Sequence, residues 1–85
     1  MEQTIKCLLL KNDQVLVTEI VEVGAEIGDP NCKLIDPFLL DQTNNTLSTW
    51  LEFTDQNEFM IHSDSILTIA DPKADLLAKY FDLIS

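Results

Sequence analysis

The segment 14–23 (QVLVTEIVEV) most constrains the fold of this chain, because it is rich in β-branched residues and apolar on both faces of a strand. In a strand, Val15 and Val17 would point to one face, and Leu16 and Ile20 would point to the other. A strand that is apolar on both faces either lies between two layers or bends strongly through a small barrel. A chain of 85 residues has room for one domain, and we expect a single domain over residues 1–85.

Short polar segments divide the rest of the chain into short apolar runs. Asn12 and Asp13 separate the first two runs and predict a hairpin. Pro37 lies inside the third run, which predicts that this strand runs along an edge or carries a kink. The pattern predicts five strands within about residues 4–70, over 4–11, 14–23, 32–40, 47–54 (continued by 59–62) and 65–70.

The C-terminal segment has a helical pattern instead of a strand pattern, and it predicts a helix over about residues 72–84. Asp71 is a suitable N-cap, and Pro72 suits the first helical position. Apolar residues fill two adjoining stripes of this helix and leave a single narrow polar line, which predicts cover on more than one side. A neighbouring subunit is the simplest cover. The predicted fold is therefore mostly β: a small, five-stranded, strongly bent open barrel with one C-terminal α-helix.

Charge and composition exclude several functional classes. The chain has fifteen acidic residues, five lysines and no arginine, so its formal charge is −10. Such a chain is not expected to bind nucleic acid strongly and without specificity, because that affinity depends on cationic contacts with phosphates. It has no apolar run of membrane-spanning length, no signal-peptide pattern at its start, and two cysteines. We expect a cytoplasmic protein with reduced thiols and no membrane association.

Three segments resemble the Sm/LSm-like (Hfq-like) family. Residues 61–69 (IHSDSILTI) resemble the second Sm motif. That motif is an apolar residue followed in order by Arg, Gly, either Asp or Asn, a small residue, and a strand of alternating apolar residues. Residues 31–36 (NCKLID) look like the end of the first motif, and residues 10–13 (LKND) are similar to the family's Leu-Lys-Asn-Gly hairpin. The chain is also similar to short acidic Sm-like proteins suspected to come from marine cyanophage.

The resemblance implies an Sm-like (SH3-like) open barrel and a homo-oligomeric ring of five to seven subunits. In the family, the fourth strand of one subunit pairs with the fifth strand of the next. It further implies that short single-stranded RNA binds weakly at the central pore, with His62 and Ser63 standing where RNA-binding members carry an Arg-Gly pair. The implied RNA contacts are Asn31, Lys33, His62 and Ser63.

Two alternatives stand beside RNA binding. His62 can be satisfied by local backbone at a tight turn, with no role in binding. An acidic homo-oligomeric ring can also dock basic segments of other proteins, or serve as a structural part of an assembly, without binding nucleic acid.

The sequence predicts no enzymatic activity, no metal site and no cofactor. His62, Ser63 and Asp64 are the residue types of a hydrolase triad, but consecutive residues of an extended chain point in different directions. Cys7 and Cys32 do not have the spacing of a structural zinc site and are expected to be small core residues.

Trp50 lies on the polar face of its predicted strand. An outward Trp can anchor an interface or stack on a base, and it can also pack beneath the C-terminal helix. We expect the packing role.

Overall fold

A computed structural model describes residues 5–24, 26–51 and 53–84, in which six strands and one α-helix form. A short 3-10 helix, Ser63–Ser65, precedes the last strand. In chain order the elements are β1 (Ile5–Leu10), β2 (Val15–Glu22), β3 (Cys32–Asp41), β4 (Thr46–Thr49), β5 (Glu58–Ile61), β6 (Ile66–Ala70) and α1 (Ala74–Ile84).

All six strands belong to one open antiparallel sheet, so the predicted mostly-β class with a C-terminal helix is confirmed. The sheet order is β4-β3-β2-β1-β6, and β5 pairs with the first half of β3 while β4 pairs with its second half. The predicted hairpin is also confirmed, with Asp13 at φ 69° and a 2.9 Å hydrogen bond from Leu10 N to Gln14 O. The architecture is that of a small, barrel-like open sheet.

The predicted strand 47–54 is wrong beyond Thr49, which is why the described residues contain six strands instead of five. Leu51 adopts a positive φ of 57°, a conformation that takes the chain out of the sheet. The chain rejoins β3 only at Glu58, so β4 and β5 pair with separate halves of the same strand.

Strand β3 bends at Asp36 and Pro37, so of the two predicted alternatives, an edge position or a kink, the kink is the one that the structure shows. Asp36 has a φ of 52°, and two residues of β3 at this point lie opposite the single residue Thr18 of β2. Thr18 Oγ1 donates to Ile35 O at 3.0 Å across the bulge. Because proline has no N–H, a bulge is a position where an interior strand tolerates it.

Two hydrophobic clusters pack against the sheet, so the segment 14–23 is apolar on both faces, as its pattern indicates. One cluster joins the sheet to the helix. The other is built from the alternate residues of the strands, whose side chains point to the opposite face of the sheet. The buried members of the first are Ile5, Val17, Leu76 and Tyr80. The buried members of the second are Leu8, Leu10, Leu16 and Leu34.

The helix begins two residues later than predicted. Its first backbone hydrogen bond runs from Leu77 N to Lys73 O at 2.9 Å, so the predicted N-cap Asp71 and first-turn Pro72 are wrong. The Asp71 carboxylate instead pairs with Lys6 on β1, a partner that the local sequence does not disclose.

The described residues cover only one side of the helix. Leu76 and Tyr80 are its buried residues, whereas Phe81 and Leu83 remain 40% and 49% exposed. Cover from a neighbouring subunit therefore stays a prediction. None of the helices in the described ranges is long and apolar enough to span a membrane.

Trp50 does not pack beneath the helix, so that prediction is wrong. The indole packs against the Leu8–Leu34 cluster, the one without helix residues, and meets the Phe59 ring edge-on at a centroid distance of 5.5 Å. Its Nε1–H points towards Gln14 Oε1 at 3.4 Å. The side chain is half-buried and keeps one part open to solvent.

Candidate functional site

A pair of hydrogen bonds joins Asn31 to Ser63, two residues that lie 32 positions apart. The Ser63 backbone N–H donates to Asn31 Oδ1 at 2.8 Å, and Asn31 Nδ2 donates to Ser63 Oγ at 3.1 Å. Asn31 ends the loop before β3, and Ser63 begins the 3-10 turn before β6. The two loops that carry the predicted RNA contacts are therefore held side by side.

A cavity of about 270 Å³ opens beside this pair, and we call it the Asn31 cleft. His62 is exposed on its wall, one residue before the turn, and its carbonyl oxygen accepts a 3.0 Å hydrogen bond from Ser65 N. The cleft is lined by Glu26, Ile27, Gly28, Asp29, Asn31, His62, Ser63 and Asp64.

The Asn31 cleft is acidic. Three of its lining residues, Glu26, Asp29 and Asp64, carry carboxylates, and no lysine lines it among the described residues. These three carboxylates face no lysine of the lining, so the cleft favours cationic groups over phosphates. The acidic lining was not predicted, although Asp29 lies two residues before Asn31 and Asp64 directly follows Ser63 in sequence.

Lys33 does not line the cleft. Its Nζ lies 2.6 Å from Glu58 Oε1 on the neighbouring strand β5. The structure thus brings together three of the four predicted contact residues, Asn31, His62 and Ser63, and pairs the fourth elsewhere. A cation already paired with a carboxylate is a poorer partner for a further anion.

Three strands of the described sheet, β4, β5 and β6, have a single partner each, and two of them present a second feature with functional potential. Strand β6 pairs only with β1, and β5 pairs only with β3 within the described residues. Exposed apolar side chains stand on both strands: Met60 is 48% exposed on β5, and Leu67 and Ile69 are 57% and 54% exposed on β6. Such edges are templates for pairing with another chain.

The two thiols are unpaired and poorly placed for chemistry. Burial raises the pKa of Cys7, with a smaller contribution from the Asp71 carboxylate. Burial likewise raises the pKa of Cys32, to which Glu22 adds. A raised thiol pKa lowers the fraction of reactive thiolate at neutral pH. Across residues 5–24, 26–51 and 53–84, no three His, Cys, Asp or Glu side chains form a group that could hold a metal ion.

The fold and the site together define a small, open-sheet β protein with an acidic cleft and two apolar strand edges. The chain belongs to DUF6561, a family of unknown function, whose family model matches residues 3–85. A comparison with curated proteins gives no match.

Proposed function

We propose that this protein is an Sm-like open barrel that assembles into a homo-oligomeric ring of five to seven copies and acts as an acidic protein-interaction ring. The observation that carries the proposal is the pair of unpaired edges, β5 and β6, each with exposed apolar side chains.

Edge pairing is favourable because it satisfies backbone hydrogen-bonding groups and buries apolar surface together. Met60 on β5 and the pair Leu67 and Ile69 on β6 supply that apolar surface. An edge that meets a different edge of the next copy makes a head-to-tail contact, which closes into a ring when the rotation between copies permits. The 9.6 kDa chain buries only a small core, so association adds stability that a monomer lacks.

The acidic character of the assembly suggests the kind of partner it takes. Each copy contributes a formal charge of −10, and Glu26, Asp29 and Asp64 concentrate carboxylates at one cleft. A repeated acidic cleft attracts Lys- and Arg-rich segments of other proteins, and it repels phosphates. Such a ring docks basic protein segments or joins larger assemblies through them.

Light scattering of edge variants tests the proposal. Ile69→Lys on β6 and Met60→Lys on β5 each place a cation at the proposed contact, and each should convert the assembly to monomer. Val21→Lys is the matched control, because Val21 is 41% exposed but lies on β2, which is paired on both sides. The control should keep the mass of the unmodified protein. Equal masses for all four proteins would rule out assembly through these edges.

Weak binding of short single-stranded RNA at the pore is the second candidate function. The observation that favours it is the convergence of Asn31, His62 and Ser63 on one cleft. An asparagine amide can read a base edge, and histidine can stack on a base or donate to phosphate when protonated. Lys33 would contribute only by leaving Glu58.

Fluorescence anisotropy with labelled U-rich and A-rich oligoribonucleotides separates the two functions. RNA binding predicts a saturable signal at micromolar protein in ~50 mM salt that is weakened by His62→Ala and lost as salt rises. The absence of saturable binding under these conditions would exclude the RNA function and leave the protein-interaction ring.

A further inference from the structure

A second cavity of about 270 Å³ lies on the side of the sheet away from the helix. It opens between the β1–β2 hairpin, the end of β5 and the start of β6, and it shares no lining residue with the Asn31 cleft. We call it the Trp50 cavity. Its lining residues are Leu10, Lys11, Asn12, Trp50, Ile61 and Ser65.

One wall of the Trp50 cavity is apolar and held in place. Trp50 contacts Phe59 edge-on, and its Nε1–H is directed at Gln14 Oε1, which also accepts from Asn12 Nδ2 at 3.0 Å. These contacts fix the indole from two directions. Leu10 and Ile61 complete an apolar surface against which a flat ring can pack.

The polar groups that remain free at the cavity are hydrogen-bond donors. Asn12 is occupied, because its Oδ1 accepts from Gln14 N at 3.1 Å while its Nδ2 donates to the Gln14 side chain. Lys11 is exposed, and no carboxylate in the part of the chain that the structure describes pairs with its ammonium group. The Ser65 hydroxyl stands on the same rim. A ligand with acceptor atoms fits these groups.

Charge distinguishes the Trp50 cavity from three other cavities of comparable size. The Asn31 cleft contains three carboxylates, and the cavity beside β4 and the helix contains both Lys79 and Asp82. The cavity beneath the β3 bend contains Asp36 and Asp55. Among the described lining residues, the Trp50 cavity alone combines a cation with no acidic side chain. In a chain of charge −10, a cavity lined by a cation and no carboxylate favours an anion more than these three others do.

We infer that the Trp50 cavity binds a small planar aromatic molecule that carries one carboxylate. The ring packs on the indole of Trp50, and the carboxylate accepts hydrogen bonds from the Lys11 ammonium group and the Ser65 hydroxyl. The site goes beyond the proposed interaction ring, and ligand binding to it does not require assembly, because one chain supplies every lining residue.

Titration with phenylacetate, followed by NMR, tests this inference. Trp50 is the only tryptophan of the chain, so its indole N–H gives a single resolved reporter. Measurements in ~100 mM salt limit repulsion from distant carboxylates, because the Debye length is then about 10 Å. We expect saturable shifts of the Trp50 indole signal and of the Lys11 and Ser65 amide signals.

Two comparisons make the test specific. Phenylacetamide keeps the ring and lacks the charge, so it should bind about tenfold more weakly, and Lys11→Gln should weaken phenylacetate binding by a similar factor. Lys73→Gln is the matched control, because Lys73 is exposed and lies outside the cavity lining, and it should leave binding unchanged.

Three results would overturn the inference. They are equal binding of phenylacetate and phenylacetamide, equal losses in the Lys11 and Lys73 variants, and no saturable shift at ~10 mM phenylacetate, a concentration above the Kd of even weak fragment ligands.

Discussion

The Tyr80 hydroxyl donates to the carbonyl oxygen of Asp36 at 3.0 Å, which ties the C-terminal helix to the bend of β3. The same hydroxyl lies 3.2 Å from Ile35 O and accepts from Glu19 N at 3.3 Å. Tyr80 is only 1% exposed, so these backbone groups have little access to water as an alternative partner. The helix thereby satisfies the backbone at the point where the strand turns.

We expect Tyr80→Phe to lower the free energy of unfolding by about 1–3 kcal/mol, because Glu19 N and Asp36 O lose the hydroxyl partner that they meet beside a buried ring. The phenyl ring preserves the edge-on contact with Phe38, whose centroid lies 5.7 Å away. Urea denaturation measures the loss. Phe81→Tyr is a useful control, because that ring is 40% exposed and its added hydroxyl can reach water. A Tyr80→Phe variant as stable as the unmodified protein would show that the hydrogen bonds do not hold the bend.

The stability of the protein should fall as the pH rises from about 10 to about 12. Burial raises the pKa of Tyr80 to about 12, and the neighbouring carboxylates Asp36 and Glu19 add to the shift against the opposing backbone hydrogen bond. The phenol of the unfolded chain ionises near pH 10, so the stabilisation is complete below that pH and is lost as the pH passes the folded-state value. Thermal unfolding between pH 9 and pH 12 measures this loss.

Tyr80→Phe is the control for that pH profile, since phenylalanine does not titrate. The difference in stability between the two proteins should narrow above pH 10. A constant difference over the whole range would contradict the assignment of the alkaline transition to Tyr80.

Asp36 should tolerate glycine and reject valine. Its φ of 52° lies in the left-handed region, which glycine adopts freely and β-branched residues avoid. We expect Asp36→Val to lose about 1–3 kcal/mol of stability, whereas Asp36→Gly should stay within about 1 kcal/mol of the unmodified protein. Paired urea titrations measure both. Equal losses in the two variants would indicate that the carboxylate, and not the backbone conformation, is the important feature.

Asn31→Ala should release the turn at Ser63. The Ser63 N–H loses its 2.8 Å acceptor, and we expect its amide exchange to accelerate by about tenfold. Asn12→Ala is the matched control, because Asn12 makes the equivalent contact with Gln14 N in the β1–β2 hairpin. That control should accelerate exchange at Gln14 and leave Ser63 unchanged. Unaltered Ser63 exchange in Asn31→Ala would show that the two loops are held together by other contacts.

Self-association should strengthen with salt. Copies of charge −10 repel one another, and about 0.2 M NaCl screens that repulsion while leaving apolar burial at the strand edges intact. Sedimentation velocity over a dilution series should therefore give a tighter assembly in ~0.2 M than in ~0.02 M salt. Ile69→Lys should stay monomeric at both concentrations. Dissociation of the unmodified protein on adding salt would point to an interface held by ion pairs.

Local sequence patterns predicted the elements that depend on local chemistry. The turn residues Asn12 and Asp13 predicted the β1–β2 hairpin, and Pro37 predicted the bend of β3. Alternation failed after Thr49, because the apolar pattern continues to Phe53 while the chain leaves the sheet and exposes 86% of that residue. Alternation records which faces are apolar, and it does not record whether a partner strand is present.

Local sequence patterns could not predict ion-pair partners that lie far apart in the sequence. Asp71 pairs with Lys6 because β6 lies beside β1, and Lys33 pairs with Glu58 because β5 lies beside β3. The resemblance to Sm motifs predicted a role for Asn31, but the acidic lining of its cleft depends on how the two loops lie in space. Residue types alone do not fix these neighbours, because each depends on strand order and register.

The mass of the unmodified protein in solution tests the central claim most directly. Native mass spectrometry at micromolar concentration should give one dominant species at five to seven times the 9.6 kDa chain mass. A single species at 9.6 kDa would contradict assembly through the β5 and β6 edges.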